Sequence, residues 1–316
     1  MGDRLLEVRN LKKYFKTKEG MLHAVDDVSF NINKGETLGL VGESGCGKST
    51  TGRAILRIHE PTDGEVIYNN ENILKYDKNK KKKMLRKMQI VFQDPYSSLN
   101  PRLSVFDLIA DPLYVNKIYK TKSELSDRVK EVMDLVGLEQ RLINSYPHEL
   151  DGGRRQRIGI ARALALRPEF IVLDEPVSAL DVCIQAQILN LMNKLQEQLG
   201  LTYLFISHDL SVVRHVSDVI AVMYLGKIIE LSDYKSMFID PKHPYTQALL
   251  SAIPVPKVGA KRERIILEGD VPSPVNPPPG CGFYGRCKYR EDICKEKTPE
   301  LLNIGEGRYV ACHFVK

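Results

Sequence analysis

The sequence predicts an α/β fold built on a core sheet whose strand ends carry the chemistry. Three observations lead there. The apolar run Thr37-Leu38-Gly39-Leu40-Val41 enters Gly42-Glu43-Ser44-Gly45-Cys46-Gly47-Lys48-Ser49-Thr50, after which Thr51 to Leu56 continue with helical spacing. Phe170-Ile171-Val172-Leu173 is unbroken and apolar and closes on Asp174 and Glu175. Thr202 to Ser207 reads the same way and closes on His208. Buried strands ending in polar residues are what a parallel sheet with its ligand at the carboxyl ends requires.

Composition narrows the class. The chain has 316 residues, 43% hydrophobic and 27% charged, as in a globular protein rather than a disordered or membrane-embedded one. That length suits one large domain plus an extension. No apolar run approaches the ~20 residues of a membrane-spanning helix. The start, Met1-Gly2-Asp3-Arg4, lacks a signal-peptide core, so a cytosolic location is expected. With 46 basic and 40 acidic residues the charge is only +6, and there is no tryptophan. Lys80 to Lys83 form the one dense basic run, which reads as a solvated helix start rather than a nucleic-acid surface.

Taken in order, Leu5 to Leu11 alternate weakly as an opening strand, and Lys12-Lys13-Tyr14-Phe15 leads to a turn through Gly20. An aromatic here can stack on an adenine ring: Phe15 is the first candidate, Tyr14 the second, and plain edge packing the alternative. Ala24 to Ile32 is a second strand, turned by Lys34-Gly35-Glu36 into the strand before the glycine-rich loop. Strand, Gly-x4-Gly-Lys-Ser, helix is the context of a phosphate-binding loop. Its glycines turn backbone N–H groups inward and the helix N-terminus adds partial positive charge. Lys48 is placed for the β- and γ-phosphates and Ser49 for Mg²⁺, whereas Cys46 reads as a small filler. After a turn at Pro61 to Gly64 and a strand from Glu65 to Tyr68, Met88 to Phe92 forms a strand ending at Gln93, whose carboxamide can ligate Mg²⁺ or position water.

From Tyr96 the pattern turns helical, with Val105 to Tyr114 and Ser123 to Val136, the latter repeating at Val129, Val132, Met133 and Val136. Asp151-Gly152-Gly153-Arg154 opens a periodic helix and makes a second anion-facing terminus. Asp174 suits Mg²⁺ held through water, and Glu175 suits polarising an attacking water. Two adjacent acids that merely cap a turn are the bland alternative, disfavoured by the phosphate loop upstream. Ser178-Ala179-Leu180-Asp181 precedes a helix from Val182 to Leu199. A lone histidine is usually structural, but His208 ends its strand as Gln93 and Glu175 end theirs, which favours a γ-phosphate contact. Val219 to Tyr224 and Lys227 to Glu230 form a hairpin expected to close the sheet.

Six separate elements therefore follow one another in the order of an ATP-binding cassette: the phosphate loop, Gln93, Leu150 to Arg154, Asp174-Glu175, Ser178 to Asp181 and His208. The resemblance runs from about Leu5 to Leu231. The segment Pro241 to Leu250 and the cysteine-bearing tail resemble one branch, the ATPase subunits of dipeptide, oligopeptide and nickel importers. That resemblance implies a cassette domain over 1–255, with a RecA-like core sheet, an antiparallel β subdomain and a helical subdomain near 96–155, followed by a small C-terminal extension over 256–316. It implies ATP and Mg²⁺ as cofactors, Phe15 as the adenine-stacking aromatic, and a head-to-tail pair of cassettes with two ATP molecules between them. Each ATP would lie between one subunit's phosphate loop, Gly42 to Thr50, and the other's Asp151, Gly152 and Gly153. It implies two transmembrane permease subunits, one reaching the groove beside Gln93, an extracytoplasmic solute-binding protein acting indirectly, no nucleic acid, and a place on the cytoplasmic membrane face.

The family signature usually reads Leu-Ser-Gly-Gly-Gln. Here Asp151 stands for the serine and Arg154 for the glutamine, which points to a partner cassette of a different chain. The function implied is ATP hydrolysis powering uptake of a peptide or related solute. A soluble ATPase of DNA repair or translation would bring coiled-coil arms or a second cassette, and neither is in the sequence. A regulatory cassette with one degenerate ATP site is the third reading.

Four of the six cysteines, Cys281, Cys287, Cys294 and Cys312, fall in the last 36 residues, with five, six and seventeen residues between them. In a reducing compartment such a group argues for a metal site over disulfides. Zinc sites usually contain a Cys-x2-4-Cys knuckle, and none is present. The resemblance to the peptide-importer ATPases implies a [4Fe–4S] cluster on these four thiolates, with zinc as the alternative.

Overall fold

The computed structural model describes residues 3–253 and 264–315. In chain order, β1 (Arg4–Lys16), β2 (Met21–Asn33) and β3 (Thr37–Val41) lead to α1 (Lys48–Ile55), β4 (Asp63–Tyr68) and β5 (Glu71–Asn72). Then come α2 (Lys78–Lys87), β6 (Met88–Val91), α3 (Pro95–Ser98), α4 (Val105–Val115), α5 (Lys122–Leu135), α6 (Gly152–Leu164), β7 (Phe170–Asp174) and α7 (Val182–Leu199). The chain continues through β8 (Thr202–Ser207), α8 (Leu210–Val216), β9 (Val219–Tyr224), β10 (Lys227–Asp233), α9 (Tyr234–Ile239) and α10 (Pro244–Ser251). It ends with α11 (Asp292–Glu296), β11 (Leu302–Asn303) and β12 (Tyr309–Val310). Two compact units result, one from residues 1–74 with 205–316 and one from 75–204. The domain boundary expected at 255/256 lies outside the described residues.

In the first unit an antiparallel sheet has the order β2-β1-β4-β5. Strand β1 runs well past Leu11, and alternation fades there because its ladder with β2 breaks register between Val8 and Leu11, Leu11 and Lys13, and Lys13 and Tyr14 before resuming at Tyr14↔His23. Each irregularity swaps the faces of the residues that follow, which erases the period-two signal in the sequence. The strands of the same unit that carry the phosphate loop are ordered β11-β12-β10-β9-β3. All five residues of β3 are buried, and it pairs in parallel with β9, Leu38↔Val219 to Val41↔Val222. The β9–β10 turn uses Leu225 and Gly226 at φ 45° and 80°, as a two-residue hairpin demands. This hairpin does not close the sheet, as the sequence had suggested. Glu230 and Leu231 pair with Val310 and Tyr309, so the end of the chain supplies two more strands.

In the second unit β6 and β7 run parallel, Met88↔Phe170 to Val91↔Leu173, and every residue of β7 is buried. Helix α5 begins with a capping box, Thr121 with Glu124, and buries Val129, Val132 and Met133; Val136 at its C-cap is buried too. Helices α4, α5 and α6 pack on one another through such faces. The lysine run lies on α2, started by the Asp77 cap and anchored by buried Met84, with Lys80, Lys82 and Lys83 exposed. Among the described residues no helix is long and apolar enough to cross a membrane.

Candidate functional site

The phosphate loop leaves β3 at Gly42 and enters α1 at Lys48. Gly47 caps the helix at φ 108°, and a Cβ there would lie 2.0 Å from the Ala24 carbonyl oxygen, so only glycine fits. Gly226 N–H donates to the Cys46 carbonyl at 2.9 Å, tying the loop to the β9–β10 turn. Ser44 and Gly45 are exposed at the crest, while Cys46 is buried and its thiol pushed up by that burial, as suits a filler rather than a nucleophile. Lys48 is 4% exposed. Its ammonium donates to the Gly42 and Glu43 carbonyls at 2.8 and 3.0 Å, so the charge sits inside the loop. Ser49 and Thr50 follow on the first turn, half-buried. A concave loop, a helix N-terminus and an interior ammonium fit a polyphosphate.

Beyond β3, the first unit places His208 exposed, one residue past β8 and just before the Asp209 cap of α8. Phe15 is half-buried near the end of β1, edge-on to His59 at 5.6 Å, with the Lys13 ammonium 4.8 Å from its ring centroid. Tyr14 is otherwise employed. It stacks on His23 at 4.0 Å, and its hydroxyl donates to Asp26, which also meets the Lys227 ammonium at 2.7 Å.

In the second unit the parallel register carries Gln93 and Glu175 two residues beyond the Val91↔Leu173 pair, to the same end of their strands. The Gln93 carboxamide donates to the Glu175 carboxylate at 2.9 Å. Asp174 is 1% exposed, whereas Glu175 is half-exposed and held at φ 49°, a left-handed conformation unusual for a non-glycine residue. The backbone thus turns as β7 ends, with successive carboxylates, one buried and one open. Backbone strain of this kind persists where the surroundings enforce it, often at functional sites.

Asp151 caps α6, accepting the Arg154 N–H at 2.7 Å, and pairs with the Arg154 guanidinium at 2.8 Å. The same guanidinium reaches Glu139 at 3.3 Å. Added Cβ atoms at Gly152 and Gly153 would lie 3.1 Å from the Leu180 Cδ2 and 2.8 Å from the Ile184 Cγ2, so those side chains would have to shift. Asp181 in turn caps α7 through Ile184 N–H at 3.1 Å.

Sequence reasoning missed how the C-terminal region engages the loop. Arg286 makes a bidentate pair with the Glu43 carboxylate at 2.9 and 3.2 Å, and the Tyr245 hydroxyl accepts the Glu43 N–H at 3.1 Å. A partner 243 positions away in a turn-rich segment leaves no periodic signal to read.

The cysteine expectation needs correction. Cys281, Cys287, Cys294 and Cys312 line one small cavity with Phe283 and His313, and all four are free thiols. Among the described residues, however, no group of three or more His, Cys, Asp or Glu side chains is arranged to hold a metal ion. Burial pushes the Cys281 thiol up to about 11 and raises Cys287 and Cys312. Neither the [4Fe–4S] cluster nor its zinc alternative is supported. Clustering along the chain was visible in the sequence, but whether the side chains form a ligand set was not, and among the described residues they do not.

Comparison with known proteins follows the same lines. Residues 25–178 match the ABC transporter family, and residues 229–294 match the oligopeptide/dipeptide transporter C-terminal region. The chain is 52% identical to the oligopeptide transport ATP-binding protein AppF of Bacillus subtilis, over 98% of this chain and 97% of that one. It is 58% identical to OppF of the same organism, over 99% and 97%. A putative peptide import ATP-binding protein of Brucella ovis is 48% identical over 98% and 97%. Among solved structures, the dimeric post-hydrolysis state of the cassette MJ0796 bound to ADP and Pi aligns with a TM-score of 0.67 and 32% identity, over 73% of this chain and 99% of that one. The cassette cbiO1 from Clostridium perfringens gives 0.67 and 28%, over 75% and 92%. Similarity of this depth along nearly the whole length, added to the phosphate loop and the strand-end acids, means that the chain belongs to the ATP-binding cassette family as an ATPase of its oligopeptide-transport branch.

Proposed function

We propose that this chain hydrolyses ATP to drive import of peptides through a membrane complex. The observation that carries the chemistry is the 2.9 Å contact between the Gln93 carboxamide and the Glu175 carboxylate, beside the buried Asp174. Bound Mg-ATP supplies an electrophilic γ-phosphorus and a metal that offsets the phosphate charge. Lys48 and the loop N–H groups are assigned to the phosphates, and Ser49, Gln93 and Asp174 to the metal. Glu175 orients the attacking water and draws its proton; Gln93 fixes that carboxylate. His208 is assigned to the γ-phosphate and Phe15 to the adenine. The relatives named for peptide transport support the substrate class, and they imply permease subunits that hold the chain at the cytoplasmic membrane face. Replacing Glu175→Gln should leave ATP binding intact and cut turnover by roughly 10²–10⁴, the worth of a general base. Turnover at the parent rate in the assembled transporter would remove Glu175 from this role.

A second feature concerns the pairing of cassettes. The dimeric MJ0796 cassette supports pairing of two cassettes, and the family resemblance makes that pair head-to-tail. In that pair Asp151, Gly152 and Gly153 would face the partner's ATP. Because the Asp151 carboxylate is spent on the α6 cap and on Arg154, we assign the partner to a different chain, one that supplies an unaltered signature.

A further inference from the structure

We propose that Arg286 and Tyr245 are positioning residues for the ATPase reaction, fixing the phosphate loop through Glu43 and making ATP affinity depend on the C-terminal region. The argument starts from Glu43, all of whose polar groups are engaged. Its carboxylate takes two hydrogen bonds from Arg286, at 2.9 and 3.2 Å. Its N–H donates to the Tyr245 hydroxyl at 3.1 Å. Its carbonyl accepts the Lys48 ammonium at 3.0 Å and the Cys46 N–H at 3.3 Å. Of these four partners Arg286 and Tyr245 come from beyond residue 240, and Lys48 is the lysine assigned to the phosphates.

The arrangement is built rather than incidental. The Arg286 side chain is 10% exposed and that of Glu43 28%, so the pair is largely shielded from water and salt. Bidentate guanidinium–carboxylate pairing fixes orientation as well as distance. Tyr245 is fully buried, and its ring lies 4.7 Å from that of Tyr224 and 5.5 Å from that of Phe283. Phe283 begins the short turn that presents Arg286. The aromatic cluster therefore sets the position of both groups that hold Glu43. When Lys48 exchanges the Gly42 and Glu43 carbonyls for phosphate oxygens, the loop loses an internal cross-link. Arg286 and Tyr245 are what hold Glu43 in place at that moment, so their loss penalises nucleotide binding more than the step that follows.

The test is steady-state ATP hydrolysis by the assembled transporter, with KM and kcat determined separately. Arg286→Gln should raise KM for ATP about tenfold, the loss of one charge-assisted hydrogen bond of the weaker kind, with kcat within about twofold of the parent. Arg286→Lys, which keeps charge but not the fork, should fall between the two. Glu43→Gln should reproduce the effect, and the double variant Glu43→Gln with Arg286→Gln should be no worse than either single one. Tyr245→Phe removes one hydroxyl from a ring that keeps its packing, and should raise KM a few-fold even if Arg286 variants fold poorly. Coupling between sites is reciprocal, so Mg-ATP added to the full chain should slow maleimide alkylation of Cys287, the residue after Arg286, and should not do so in Arg286→Gln. Parent-like KM in both Arg286→Gln and Tyr245→Phe, strictly additive effects in the double variant, or Cys287 alkylation indifferent to Mg-ATP in the parent would each overturn the proposal.

Discussion

His243 is 2% exposed, and its Nδ1 accepts the Tyr245 N–H at 3.1 Å, so the ring caps α10 as an acceptor and carries its proton on Nε2. Burial pushes this imidazole down to about 3. A folded-state value below the unfolded one means that stability is complete above about 6.5 and is lost as pH falls towards 3. Glu230, which accepts the Lys242 and His243 N–H groups at 2.7 and 2.8 Å, is raised by burial and works in the opposite sense, since acid favours its folded form. The two are separated by His243→Asn, which keeps a capping oxygen but cannot titrate. Between pH 6.5 and 4.5 the parent should lose roughly 2–3 kcal/mol more unfolding free energy than the variant. Denaturant titrations at several pH values measure it, and parallel slopes for the two proteins would show that His243 is not the titrating group. The capped residue, Tyr245, is the one whose hydroxyl reaches Glu43, so acid loosening at this cap should also be felt at the phosphate loop.

Helices α5 and α6 are joined by a charged residue rather than by apolar faces alone. The Arg128 side chain is 5% exposed and donates to the Leu164 and Ala165 carbonyls at 2.8 and 3.2 Å, where α6 ends and its terminal carbonyls lack helical partners. Arg128→Met keeps the aliphatic stem but removes the buried donor to both carbonyls, leaving Leu164 only the Arg167 N–H at 3.0 Å, and breaks the 2.9 Å pair with Glu131. It should cost about 3 kcal/mol, seen as a lower urea midpoint at unchanged slope, and an unshifted midpoint would mean that water replaces the guanidinium without penalty. This contact marks where sequence reading stops. The α5 face was legible because Val129, Val132 and Met133 repeat at helical spacing, but a charged residue on that face reads as solvent-exposed until its partners are seen. Strands β3, β7 and β8 were legible as unbroken apolar runs bounded by turns and polar ends. Strand β1 was half legible, since its register breaks scramble alternation, and the hairpin's extra neighbours, Tyr309 and Val310, carry too short a pattern to announce a strand. The phosphate loop could be read almost residue by residue because its chemistry is local. Its anchoring by Arg286 and Tyr245 could not, because it depends on which distant segments meet.

For the working assembly, the decisive residue is Asp151. In a head-to-tail pair a serine at this position would donate a hydroxyl to the partner's γ-phosphate; an aspartate cannot, at a cost of about 1 kcal/mol. Charge repulsion would be larger if the carboxylate were free, roughly 4 kcal/mol for two unit charges ~4 Å apart at an effective dielectric near 20. It is not free. Arg154 lies 2.8 Å away and shares its charge with Glu139, so the aspartate is largely compensated and turned onto its own helix. The missing donor is then the surviving term, and the partner's ATP site should be weakened rather than abolished. In the proposed pair of different chains, the ATP held by this chain's Lys48 would receive its signature from the other chain and should be turned over faster. Asp151→Ser in the assembled complex should therefore raise turnover several-fold, by about the worth of one hydrogen bond. Lys48→Ala should remove most of the activity, and the same change in the other chain's phosphate loop much less. Equal losses from the two lysines together with no gain from the serine would show two equivalent sites, and the Asp151–Arg154 pair would then be a helix cap and nothing more.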